Sequence, residues 1–183
     1  MKKQSVKLKQ KRLVKGFTLV ELLAVIAITG VVGTLMFGIL FTTLRGANKS
    51  ESLGAIQQNG DAALSQMTRM VRFASELNDP AGCYTGPTPT PIVQTSITIR
   101  NVDNGSSTFS CDLIAGTMAS NGASMLDTTS IAVTACSFTC LQNTPNDFPT
   151  IMISFTLNKK NNTLVENKAP QTFTSNVTLR NVF

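Results

Sequence analysis

Residues 17–44 are apolar throughout, apart from a single charge at Glu21. Within that stretch, Leu22 to Leu44 is an unbroken run of 23 uncharged residues. As a helix rising about 1.5 Å per residue, the run spans roughly 35 Å, enough to cross the hydrocarbon core of a bilayer. Arg45 to Ser52 is polar and continues the helix. The following segment, LGAIQQNGDAALSQMTRMVRFASEL, places Leu53, Ile56, Leu64, Met67, Val71, Ala74 and Leu77 at intervals of three, four or eight residues. That is the period of an amphipathic helix with one buried stripe, most simply a face packed on a sheet. Gly60 weakens its middle. Asn78-Asp79-Pro80, followed by Gly82, predicts a stop. Residues 17–77 therefore read as one long helix.

The pattern then changes to short alternating runs. Cys83 to Pro91 is rich in Gly, Pro and Thr and reads as a loop. Strands are predicted at Ser96–Asn101, Thr108–Ile114, Ile131–Cys140, Ile151–Leu157 and Phe173–Leu179. In the fourth, Ile151, Ile153, Phe155 and Leu157 share one face. Asn158 to Asn162 reads as a polar turn, with a return strand starting at Leu164–Glu166. Residues 115–129 show little pattern and read as an irregular loop. Short connections predict an antiparallel sheet packed on one helix, an α+β fold. The expected organisation is a basic leader over 1–16, a hydrophobic transmembrane and assembly helix over 17–44, an amphipathic helix over 45–77 and a β-rich head over 78–183.

Charge sharpens this division. The net charge is +6, yet Lys2, Lys3, Lys7, Lys9, Lys11, Arg12 and Lys15 all precede Phe17, leaving nine basic residues against ten acidic ones in the remainder. Without its leader, residues 1–16, the chain is not basic, so charge gives no reason to expect nucleic-acid binding. The positive-inside rule keeps the basic block cytoplasmic and puts the head outside. The chain has no His, which removes Ser-His-Asp, Cys-His and His-metal chemistry. No paired acids, GxSxG or phosphate loop appear, so neither an enzyme nor a cofactor is expected. Four cysteines, Cys83, Cys111, Cys136 and Cys140, suit an oxidising compartment and up to two disulfides. Their spacing lacks the two tight pairs of a structural zinc site, so no metal is expected. In an extended strand Cys136 and Cys140 lie about 13 Å apart, beyond disulfide reach. Either the chain turns between them and Cys83 pairs with Cys111, or Cys140 pairs with Cys83 or Cys111.

Glu21 is the anomaly of the apolar run. An acid at mid-membrane costs about 2.5–3.5 kcal/mol, less near a helix end. A secretory signal peptide would have a shorter apolar region, and an ordinary signal anchor leaves the acid unexplained. The string KGFTLVELLAVIAITGVV resembles the processing signal of the type IV prepilin family. The resemblance implies cleavage between Gly16 and Phe17 by a prepilin peptidase, methylation of the new amino terminus at Phe17, and an assembly role for Glu21. A buried carboxylate that meets the charged amine of an adjacent subunit removes two costs and sets register. Gly30, Gly33 and Gly38 fit either close helix packing or local bending. Many pilins have Pro where this chain has Gly38.

The later segments MTRMVRFASEL, SIAVTACSFTC, PTIMISFTL and TFTSNVTLRN resemble minor pilins and J-type pseudopilins, with Arg69 or Arg72 and Arg180-Asn181 as the matching positions. The resemblance implies a filament subunit, initiating or at the tip, in a type IV pilus or a type II secretion pseudopilus. Its implied partners are other pilin subunits, the peptidase and methyltransferase, an inner-membrane assembly platform and, before assembly, membrane lipid. The implied location is the inner membrane, single-pass with a cytoplasmic N-terminus, then an extracellular or periplasmic filament. The rival reading is a membrane-anchored binding or adhesion module. One Tyr, Tyr84, and no Trp stock such a surface poorly.

Overall fold

The computed structural model describes residues 16–81, 83–160 and 170–180. The chain divides between Gly46 and Ala47 into two compact units. The architecture is α+β: one N-terminal helix, α1 (Leu19–Arg72), followed by nine strands in two antiparallel sheets.

The first unit contains the apolar part of α1. The helix runs without interruption through Gly30, Gly33 and Gly38. It is long and apolar enough to cross a membrane, with a mean hydropathy of 2.4 over its most apolar window, none of it buried. Its hydroxyl groups are satisfied from within. Thr29 donates to the Val25 carbonyl, Thr34 to Val31, and Thr42 and Thr43 both to Ile39, each at 2.8 Å. A segment facing lipid must find its polar partners in its own backbone, and these threonines do.

In the second unit, α1 buries Ser52, Ile56, Gly60, Ala63, Met67 and Val71, a stripe at spacings of three and four. Leu53 and Leu64, expected on that stripe, are only half-buried at its flank. Gly60 has a packing role: it lies directly beneath the ring of Phe173, where a Cβ would overlap three ring atoms. Its missing side chain lets helix and sheet approach closely.

The strands are β1 (Glu76–Asp79), β2 (Ile92–Gln94), β3 (Ser96–Arg100), β4 (Ser106–Asp112), β5 (Thr117–Ser120), β6 (Ala123–Ser124), β7 (Ile131–Leu141), β8 (Thr150–Lys159) and β9 (Gln171–Thr178). One sheet has the order β1-β3-β4-β5-β6 and the other β2-β7-β8-β9. The single expected sheet is therefore two. One core joins them, with Phe109, Ile97 and Met118 from the first and Phe155, Ile153 and Leu157 from the second. Each such side chain, fully buried, contributes about 1.5–3 kcal/mol. On β8 the alternation is as read: Ile151, Ile153, Phe155 and Leu157 are all at most 1% exposed. Helix and chain exit are tied to the sheets: Thr68 of α1 donates to Ser175 of β9 at 3.3 Å, and the N–H of Ser75, just past the helix, donates to the Arg100 carbonyl of β3 at 2.8 Å.

Two further sequence expectations need correction. The helix ends at Arg72, not at Leu77. Residues 76–79 form β1 instead, with Leu77 opposite Ile99. The spacing of Ala74 and Leu77 fits a helix, but an open edge on β3 offers the backbone a ladder, and Leu77 is buried there just as well. Residues 115–129 are not irregular. β5 and β6 form a hairpin around Asn121-Gly122, both at positive φ (51° and 80°). Asn-Gly is the dipeptide that two-residue hairpin turns favour, because both of its residues tolerate that conformation. The return strand expected at Leu164–Glu166 lies outside the described residues.

Candidate functional site

The N-terminal end of α1 brings Gly16, Phe17 and Glu21 together along one short stretch. Gly16 and Phe17 precede the helix, and Phe17 is 77% exposed. Thr18 is the N-cap. Its Oγ1 accepts the backbone N–H of Glu21 at 3.3 Å. Thr18-x-x-Glu21 is thus the spacing of a capping box, with Glu21 at the third helical position. This spacing is legible in the sequence as Thr18-x-x-Glu21 ahead of an apolar run. It changes the argument about cost. A carboxylate in the first turn meets the positive end of the helix dipole, which offsets part of its desolvation penalty. Glu21 therefore has a local reason to be present besides any role between subunits. In the same segment, Phe17, Leu22, Val25 and Ile26 line an apolar hollow.

The cysteines lie elsewhere, in the second unit, and form two bonds: Cys83 with Cys140, and Cys111 with Cys136. Of the pairings left open by spacing, this is one of the two in which β7 stays extended through both of its cysteines. Cys111 is on β4 and Cys136 on β7, so this bond joins the two sheets. Cys83–Cys140 fastens the loop before β2 to β7 and is fully buried. Cys111 and Cys136 are half-buried.

Arg69 and Arg72 are exposed in the last turn of α1, and Arg180 is exposed after β9. Asn181, and Lys2 to Lys15 of the basic leader, lie outside the described residues. Among the described residues, no three His, Cys, Asp or Glu side chains are grouped to hold a metal ion.

One polar site was not anticipated. Ser52, only 5% exposed on α1, accepts a hydrogen bond from Nζ of Lys159 at 2.7 Å and donates to the Asn48 carbonyl at 2.8 Å. The two side chains border a groove of about 330 Å³ that Glu51, Ala55 and Ser130 also line. A half-buried Lys at the end of a strand gives no sequence signal that separates it from a solvated one.

No curated protein and no solved structure matches the chain. The family model of the prokaryotic N-terminal methylation motif matches residues 11–37, which include Gly16, Phe17 and Glu21. That motif marks type IV pilin-like and pseudopilin-like subunits, which a prepilin peptidase processes and which assemble with other pilins. At its N-terminal end this chain therefore carries a type IV prepilin-like, class III signal peptide.

Proposed function

We propose that the protein is a structural subunit of a type IV pilus or related pseudopilus. It inserts in the inner membrane through residues 17–44 with its N-terminus in the cytoplasm. It is cleaved after Gly16, methylated on Phe17 and drawn into a filament through α1. The observation that carries this reading is the methylation motif at residues 11–37, set across the start of an apolar helix. Threonines satisfied within the helix support a segment that lives first in lipid and then among other helices. The two disulfides support a head folded in an oxidising compartment.

The test is to express the chain with and without a prepilin peptidase and to sequence the amino terminus. Methylated Phe17 appears only when the peptidase is present. A mature chain still starting at Met1 in cells that make filaments would overturn the proposal. A second reading, an initiating or tip subunit, is favoured by the exposed Arg69, Arg72 and Arg180 of the minor-pilin resemblance. Antibody labelling of sheared filaments separates the two, since sparse terminal label marks a tip subunit and label along the shaft marks a building one.

A further inference from the structure

We infer that the turn between β4 and β5 of one copy docks, head to tail, into a hollow between the end of α1 and the β3–β4 turn of a second copy. The inference deepens the filament reading proposed above and rests on it.

The β4–β5 turn has an unusual tip. Turn tips are ordinarily Gly, Asn, Asp, Ser or Pro. Here the tip is Leu113-Ile114, with Leu113 47% exposed and Ile114 fully exposed. The chain holds this apolar knob rigidly. Asp112 Oδ1 accepts the N–H groups of Ile114 and Ala115, each at 2.9 Å. The Gly116 carbonyl accepts the N–H of Val133 on β7 at 2.9 Å, and a Cβ on Gly116 would come within 3.1 Å of Ala132.

The hollow is its complement. Phe73 and Val102, 56% and 68% exposed, line it with the half-buried Met70, around a volume of about 390 Å³. The β3–β4 turn that carries Val102 is fastened by the Asn101 N–H to the Gly105 carbonyl at 2.8 Å and by Asn101 Nδ2 to Ser107 Oγ at 3.0 Å. Arg69 lines the same hollow and forms no ion pair among the described residues, where the single pair is Arg100 with Glu76. Asp103, the acid beside it, accepts the Gly105 N–H of its own turn at 3.0 Å.

Placement and charge name the occupant. Knob and hollow lie at opposite ends of β4, whose seven residues span roughly 20 Å. The knob therefore cannot enter the hollow of its own copy, but it can enter that of the next. Two unlike patches joined in this way make a heterologous contact, the kind that propagates into a filament when it does not close. Asp112 at the base of the knob is the counter-charge for Arg69. Two knobs meeting tip to tip would instead oppose two Asp112 carboxylates, which disfavours a symmetric pair. One turn in one hollow buries far less than the roughly 1,200 Å² of a stable interface, so the contact forms among copies already held together through α1.

The experiment places Val102→Cys and Ile114→Cys in the full-length chain, in cells that make filaments, and treats sheared filaments with a short bismaleimide. The native cysteines are all bonded and do not compete. Both cysteines in one chain should give a ladder of covalent multimers. Divided between two co-expressed chains they should give dimers only, and either alone should give monomers. With Leu113→Cys replacing Ile114→Cys as the reporter, Ile114→Asp should cut the ladder about tenfold by putting a charge into an apolar hollow, whereas Ile114→Leu should leave it intact. Arg69→Glu should act as Ile114→Asp does, and Arg69→Lys should not. All these side chains are exposed, so the head stays folded. Filaments that contain the double-cysteine chain without a ladder overturn the inference, as does a ladder that Ile114→Asp leaves unchanged. Crosslinking of Ile114→Cys alone, which means a symmetric contact, overturns it too, and so does capture of a different protein by Val102→Cys, identified by mass spectrometry. Absence of the chain from filaments would instead strike the filament reading beneath.

Discussion

Gly60 and Asp127 show how much a single position decides in this head. The ring of Phe173 over Gly60 also stacks on Phe155, with centroids 5.3 Å apart, so it has little freedom to retreat. Gly60→Ala gains up to about 1 kcal/mol of helix propensity but forces overpacking that costs about 1–3 kcal/mol. A net loss of about 1–2 kcal/mol and a lower melting temperature are expected, measured by circular dichroism on the full chain in detergent. Shrinking the ring with Phe173→Leu should reverse the sign of the Gly60→Ala effect. Asp127 organises the turn before β7. Its carboxylate accepts hydrogen bonds from the Ser130 hydroxyl at 2.5 Å and the Thr129 hydroxyl at 2.6 Å, and its own N–H donates to Asn59 Oδ1 of α1 at 3.1 Å. The Ser130 hydroxyl first, then the Thr129 hydroxyl and N–H, hold its pKa below the usual carboxylate value. A depressed folded-state pKa gives stabilisation that is complete above the unfolded value, near 3.9, and is lost as pH falls through the folded value. The stability gap between wild type and Asp127→Asn should therefore be constant at neutral pH and narrow only below about pH 4, as read from urea unfolding across a pH series.

At the scale of elements, legibility followed the strength of local signals. The long apolar run of α1 and the alternation of β8 are plain in the sequence because their apolar patterns are long and unambiguous. The end of α1 was not, because the spacing from Val71 to Leu77 serves a helix and an edge strand equally, and only the open side of β3 decides. The β5–β6 hairpin was legible in Asn121-Gly122, but Gly, Ser and Ala around it dilute the strand pattern. Division into two sheets was beyond sequence reasoning, since alternation reports which residues are buried and not which strands they pair with. The disulfides complete that division. In a chain-entropy estimate the 25-residue separation of Cys111–Cys136 corresponds to about 3.5 kcal/mol and the 57-residue separation of Cys83–Cys140 to about 4 kcal/mol. Replacing Cys111 and Cys136 together by Ala should cost stability on that order and raise hydrogen exchange where the two sheets meet. Exposure also orders the reduction of the two bonds. Under mild thiol reductant, alkylation and peptide mass spectrometry should find Cys111 and Cys136 modified before Cys83 and Cys140. Simultaneous modification would mean that the buried bond is reached without prior opening.

At the scale of the whole molecule, one amino-terminal signal carries the functional reading, and Glu21 is where it can be tested most sharply. Two physical roles converge on that carboxylate. As the third residue of a helix capped by Thr18, it strengthens the first turn. Under the proposed function, an acid at the edge of an apolar helix is also suited to meet the amine that cleavage after Gly16 would expose at Phe17 of a neighbouring subunit. Glu21→Ala removes both roles and cannot tell them apart. Glu21→Gln can, because a glutamine keeps the side chain a capping box uses while deleting the charge. Both variants should insert, be cleaved after Gly16 and carry a methylated Phe17, since that chemistry takes place beside Glu21 rather than on it. If the inter-subunit pair sets register, Glu21→Gln should be as absent from sheared filaments as Glu21→Ala, although its helix begins at the same residue. Thr18→Ala, which weakens the cap by about 1 kcal/mol and leaves the charge in place, should still assemble. Glu21→Gln subunits present in filaments at wild-type levels would reduce Glu21 to a helix-start residue and remove the electrostatic account of assembly.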